Sequence, residues 1–131
     1  MPTSVTIYKT EDFIRGTKKG KVDVDRTIKA IQGLAQIAQR HANRNILIDV
    51  RGRKGWHSPA DLMRVALEFI RHRSVFRNKT ALLIPDREMD IAEAGYFQAY
   101  MDYQGLEFET FVDFEDAINW LMTIRDHDTD D

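Results

Sequence analysis

The stretch Arg51-Gly52-Arg53-Lys54-Gly55-Trp56-His57 holds three permanent cations, one titratable histidine and two glycines within seven positions. Such a run suits the capture of an anion. It follows an apolar segment with the composition of a strand and precedes a helix start at Ser58. Ligands of open α/β sheets bind beyond the carboxyl ends of the strands, and helix N-termini add unpaired N–H groups and a positive partial charge. Arg51, Arg53, Lys54, His57 and Ser58 are therefore the anion- or ligand-binding candidates, with Arg87 brought in by the loop Pro85-Asp86-Arg87. Because exposed cations contribute little to stability, alanine at Arg53 and Lys54 is expected to leave stability nearly unchanged.

Trp56 gives the same loop an aromatic anchor. An aromatic beside cations also suits a membrane surface. Further along, Ile91, Ala94, Tyr96, Phe97, Tyr100, Met101 and Tyr103 surround much of one helix. One stripe must pack on the sheet. The remainder, Tyr96, Tyr100 and Tyr103 with Trp56, is left for an apolar groove or for an interface, including a homodimer.

Other chemistries find little support. The absence of cysteine excludes disulfides, thiolate metal sites and cysteine nucleophiles. Gly16-Thr17-Lys18-Lys19-Gly20-Lys21-Val22 misses the phosphate-binding loop, having one residue too few between its glycines and Val22 where a hydroxyl belongs. His41, His57, His72 and His127 lack ligand spacing, so no metal site is expected. Asp49 and His57 can be paired as acid and base only on paper. No catalytic residue and no cofactor is assigned, and the expected reading is not an enzyme.

The elements that would position these residues alternate. Val5 to Tyr8 and Phe13 to Thr17 read as strands, with Lys18 to Lys21 as a basic loop. Asp23 or Asp25 caps a first helix whose buried face carries Ile28, Ile31, Leu34, Ile37, Ala38 and His41, and which Asn43 to Asn45 ends. Ile46 to Val50 reads as a central strand covered on both faces. Ser58-Pro59-Ala60-Asp61 opens a second helix in the manner helix starts prefer, with Asn78 as its terminator. Ala81 to Ile84 is a strand, and a helix follows over about 88–104 that Gly105 ends. Leu106 to Glu109 alternate as a strand with one wet face. A last helix from Asp113 buries Phe114, Ala117, Leu121 and Ile124. The order ββαβαβαβα argues for one α/β domain, a mostly parallel central sheet covered by helices with right-handed crossovers.

At 131 residues the chain makes one domain, expected to span 1–125 with an acidic, flexible tail at 126–131. The net charge is −2, and +2 without Asp126, Asp128, Asp130 and Asp131. Such a body is far from the charge of a nucleic-acid binder. The first residues, Met1-Pro2-Thr3-Ser4, lack the regions of a signal peptide, and no run approaches the roughly 18 apolar residues that span a bilayer. A cytoplasmic location is the expectation.

The residues Asn45-Ile46-Leu47-Ile48-Asp49-Val50-Arg51-Gly52, then Ser58, then Ala81-Leu82-Leu83-Ile84, then Phe111-Val112-Asp113, Ala117 and Trp120-Leu121 resemble the SpoIIAA-like proteins of the STAS superfamily, whose architecture is akin to lipid-binding CRAL-TRIO domains. The resemblance covers nearly the whole chain. It implies a regulatory or protein-interaction module that meets a partner through the surface around Ser58. Ser58 itself stands where anti-sigma factor antagonists carry a phosphorylated serine. The alternative is a small-molecule or lipid-binding module, with an anionic head group in the 51–57 loop and an apolar portion on the third helix.

Overall fold

The computed structural model describes residues 4–9, 13–41 and 44–123. Ile124 and the acidic tail lie outside them. The elements follow in the order β1 (Ser4–Lys9), β2 (Phe13–Lys21), α1 (Val24–Arg40), β3 (Asn45–Lys54), α2 (Pro59–Arg71), β4 (Thr80–Leu83), α3 (Glu88–Tyr103), β5 (Phe108–Phe111) and α4 (Phe114–Met122). The five strands lie side by side in chain order. β1 runs antiparallel to β2, and β2 to β5 are mutually parallel.

That order decides where the helices go. Each crossover among the parallel strands steps to the next strand in the same direction. Right-handed connections then put all three crossover helices on one face. Ile31, Leu34 and Ala38 of α1, Val65, Ala66 and Phe69 of α2, and Phe97 and Met101 of α3 share one core with Ile14, Ile46 and Phe108 of the sheet. Phe69 is its hub, edge-on to Phe76 at 5.0 Å and to Phe108 at 5.1 Å between ring centroids. Truncating such a residue to alanine costs about 3–5 kcal/mol. Among the described residues the opposite face has only α4, whose Ala117 and Leu121 pack on Leu47, Ala81 and Leu83.

Local chemistry sets the helix starts. The Asp23 carboxylate accepts from the Arg26 N–H, Ser58 Oγ from Asp61, and the Asp113 carboxylate from Asp116, each at 3.1 Å. α3 ends before Gly105, whose φ of 80° suits glycine at a helix terminus.

Four sequence expectations shift. Lys18 to Lys21 are not a loop but the end of β2, paired to β3 as far as Lys21 opposite Lys54. Likewise β3 runs on through Arg51 to Lys54. A basic run can extend there because it pairs with another strand at the solvent-facing end of the sheet. Asn78 is no left-handed terminator, since among the described residues every positive φ belongs to glycine. Instead α2 ends at Arg71, and the Asn78 amide donates to the Arg44 carbonyl at 3.2 Å. The last strand starts at Phe108 rather than Leu106.

A register change in β3 matters most for the site. Thr17 faces Asp49, yet Lys19 faces Gly52, so β3 takes three steps where β2 takes two. This bulge reverses the inside-outside alternation of the strand. Leu47, Asp49 and Arg51 point to the α4 face, whereas Arg53 points to the face of α3. Gly52 sits where a Cβ atom would come within 2.7 Å of the Lys19 Cβ, so the tight pairing requires glycine.

Candidate functional site

The two arginines of Arg51-Gly52-Arg53 end in different clusters. On the α4 face, Arg51 reaches Asp49 through Nε at 3.1 Å and through its terminal nitrogen at 2.9 Å. Arg15 joins from β2 at 3.2 Å. Both guanidinium groups lie over the Phe114 ring, at 4.9 Å for Arg15 and 6.0 Å for Arg51. Burial pushes the Asp49 carboxyl up, but the hydrogen bonds from Arg51 and Arg15 outweigh it and hold it below the usual carboxylate value. Asp49 thus lies across the sheet from His57, and the paper acid–base pair is not assembled.

On the other face, Arg53 is 11% exposed and binds Asp90 at 2.6 Å and Glu93 at 2.7 Å. Arg87 binds the second oxygen of Asp90 at 2.6 Å and donates to the Arg53 carbonyl at 3.3 Å. Glu93 spends its other oxygen on the backbone N–H of His57, at 3.1 Å. Two N–H groups at the α2 start are therefore already taken. Glu93 takes the His57 N–H, Ser58 caps Asp61, and Pro59 has no N–H to offer. Of the anion candidates, Arg51, Arg53 and Arg87 are paired with the protein's own carboxylates, Ser58 is an exposed helix cap, and Lys54 faces solvent.

His57 is held from two sides. Its Nε2 lies 3.2 Å from the Thr27 hydroxyl. That hydroxyl gives its single proton to the Asp23 carbonyl at 3.0 Å and accepts from Lys18 Nζ. The remaining role assigns Nε2 as the donor, which leaves Nδ1 as an acceptor, buried and without a hydrogen-bond partner among the described residues. Burial lowers the His57 pKa, and the cations Arg53 and Lys18 add to this against the opposing charge of Glu93. Burial likewise lowers Lys18.

Beside this cluster, α2 and α3 diverge into a groove of about 640 Å³. Its walls are Pro59, Leu62, Met63 and Ala66 from α2 and Met89, Ala92, Tyr96, Phe97 and Tyr100 from α3, with Trp56 and His57 closing one end and Glu93 the sole charged residue of the lining among the described residues. Two of the predicted aromatic positions, Tyr96 and Tyr100, do meet Trp56 here, and Arg87 stacks over the Trp56 ring at 5.9 Å. Tyr103 stands apart, 85% exposed and outside the groove. α3 is apolar around much of its circumference because it serves both the core, through Ala94, Phe97 and Met101, and the groove.

Lys18, Thr27, Asp90 and Glu93 were not singled out by the sequence reading. Asp90 carried a signal. With Ala94, Phe97 and Met101 it completes the inward stripe of α3, and an acid on such a stripe must be paired.

A scan against protein-family models finds no match, and neither does a search of curated proteins. Among solved structures the chain is similar to an uncharacterised protein of the DUF3478 family with a SpoIIAA-like fold from Shewanella loihica PV-4. The two share 19% sequence identity at a TM-score of 0.55, over 91% of this chain and 93% of that one. The domain therefore has a SpoIIAA-like fold, in agreement with the sequence resemblance. Among the described residues no helix is long and apolar enough to cross a membrane, and no cluster of ligating side chains could hold a metal ion.

Proposed function

We propose that this domain is a non-enzymatic binding module whose ligand is a small apolar molecule held between α2 and α3. The observation that carries the proposal is the groove itself. Its roughly 640 Å³ falls in the range of small-molecule sites, and its lining is apolar and aromatic with very few polar groups. The titratable groups beside it serve one another as structural partners, so they support binding rather than turnover. Native mass spectrometry of freshly purified protein, followed by the denatured mass, tests the proposal. The expected result is a non-covalent adduct that disappears on denaturation, or uptake of an added apolar probe by the bare chain. A bare chain whose groove takes up no apolar probe would sink it.

A second reading, a partner-binding regulatory module, draws on the exposed Ser58, which stands between the groove-lining residues His57 and Pro59. A phosphate at this helix start would be favourably placed, and it would stand at the groove rim. Under this reading Ser58→Asp changes the affinity for a partner protein while leaving the occupancy of the groove unaltered.

A further inference from the structure

We infer that the groove selects an electrically neutral ligand and discriminates against an anionic head group; this rests on the groove being a ligand site. The basic loop before α2 suggests the opposite, and the geometry shows why that suggestion fails. The anion this loop would bind is already present in the chain. Glu93 lies against the Arg53 guanidinium at 2.7 Å and accepts the His57 N–H at 3.1 Å. Arg53 has its remaining reach on Asp90, through Nε at 2.8 Å, and Asp90 is fully buried. Arg87 completes the set from the other side of Asp90. Two arginines and two acids sum to zero, and each is engaged.

An incoming carboxylate or phosphate would therefore find, among the described residues of the lining, no unengaged cation to receive it, Glu93 being the one charged residue there. To reach Arg53 it would have to displace Glu93 from a largely buried pair, leaving that carboxylate without its partner. An organic cation likewise finds no unengaged carboxylate, because Glu93 is already held by Arg53 at 2.7 Å and by the His57 N–H at 3.1 Å. What remains is a surface of aromatic rings and the thioethers of Met63 and Met89, which favours polarisable, uncharged groups.

Three decyl compounds of equal tail length isolate the head group: 1-decanol, decanoate and decyltrimethylammonium, each below its micellar range and at a pH where decanoate is ionised. The chain has two tryptophans, Trp56 in the groove and Trp120, which packs against Phe111 outside it. In a Trp120→Phe background, Trp56 fluorescence reports occupancy directly. Displacement of the neutral dye N-phenyl-1-naphthylamine gives an independent reading. The expected result is that decanol binds at least about tenfold tighter than decanoate or decyltrimethylammonium, where tenfold corresponds to ~1.4 kcal/mol. Glu93→Gln should then raise the affinity for decanoate relative to decanol about tenfold, since it frees the Arg53 guanidinium; an unchanged ratio overturns the role given to Glu93. Decanoate or the ammonium compound binding as tightly as decanol overturns the neutral selectivity and leaves the groove reading standing. Binding of none of the three, with no dye uptake, overturns the groove reading and this inference with it.

Discussion

Two buried aspartates, Asp49 and Asp90, lie on opposite faces of the sheet, and each is gripped by two arginines. The Asp49 cluster stays open. Arg51 is 43% exposed and rests on the Phe114 ring at the rim of the molecule. The Asp90 cluster is closed at its centre, with Asp90 at 0% and Arg53 at 11% exposure and Glu93 added as a second acid, while Arg87 covers it from the solvent side. Chemically similar parts thus serve two ends. One ties the end of β3 and α4 together at the surface, while the other fixes the ends of α2 and α3 against each other and so sets the mouth of the groove. The single residue gained by the bulge is what sends Arg51 to the first and Arg53 to the second.

The contrast can be broken most forcefully at Asp90. Asp90→Ala leaves Arg53 largely buried with only Glu93, and is expected to cost about 3–5 kcal/mol in urea unfolding. A loss under 1 kcal/mol would mean that the cluster is not closed.

The two arginines give a sharper comparison. Arg53→Ala should cost about 2–4 kcal/mol, because it leaves the largely buried Glu93 without a cation and the fully buried Asp90 with Arg87 alone. Arg51→Ala should cost about 0–1 kcal/mol, as expected of a half-exposed pair in which Arg15 remains on Asp49. Equal losses would erase the distinction between the faces. The expectation drawn from sequence alone, that alanine at Arg53 is nearly neutral, is thus reversed by where the bulge places it.

At Gly52, alanine must push into the Lys19 Cβ at the bulge, at a cost of about 1–3 kcal/mol. If the register slips rather than strains, the groove should lose its dye affinity too. A loss of stability with intact dye binding would show that the bulge relaxes without moving Arg53.

The pH dependence should be the smallest effect, and it separates the same regions. The folded state holds His57 below its usual value of 6.5, so the unfolded chain takes up a proton that the folded one refuses. Stability therefore declines as pH falls below about 6.5. His57→Gln should flatten that stretch of the profile. Asp49 and Asp90 are held below 3.8, so the stability they contribute is complete above that value and is lost as pH falls through their lowered values. A profile whose slope below 6.5 survives in His57→Gln would assign that slope to other groups.

The elements were legible because their signals are local. Asp23, Ser58 and Asp113 each cap a helix through their own next turn, and Leu47, Ala81 and Leu83 announce buried strands by composition. The strand ends were not. Whether Lys18 to Lys21 pair depends on residues more than thirty positions away in β3, which no local pattern reveals. The fate of Arg53 was hidden for the same reason, since a bulge is a property of two strands together. The groove was half legible. The surplus of aromatics on α3 pointed to it, but its second wall includes Met63 and Ala66 on α2, which carry no signal of a groove in the sequence.

The sheet whose strands lie in chain order also bears on how this protein is made. Every strand pairs with the strand made before it, across a short connection or a single helix, so pairing can proceed as the chain emerges. Helices α1 to α3 would cover their face progressively. The other face, with Leu47, Ala81 and Leu83, waits for α4. A nascent or truncated chain ending before Phe114 would therefore present that apolar face uncovered, and this is where a chaperone would be expected to engage it.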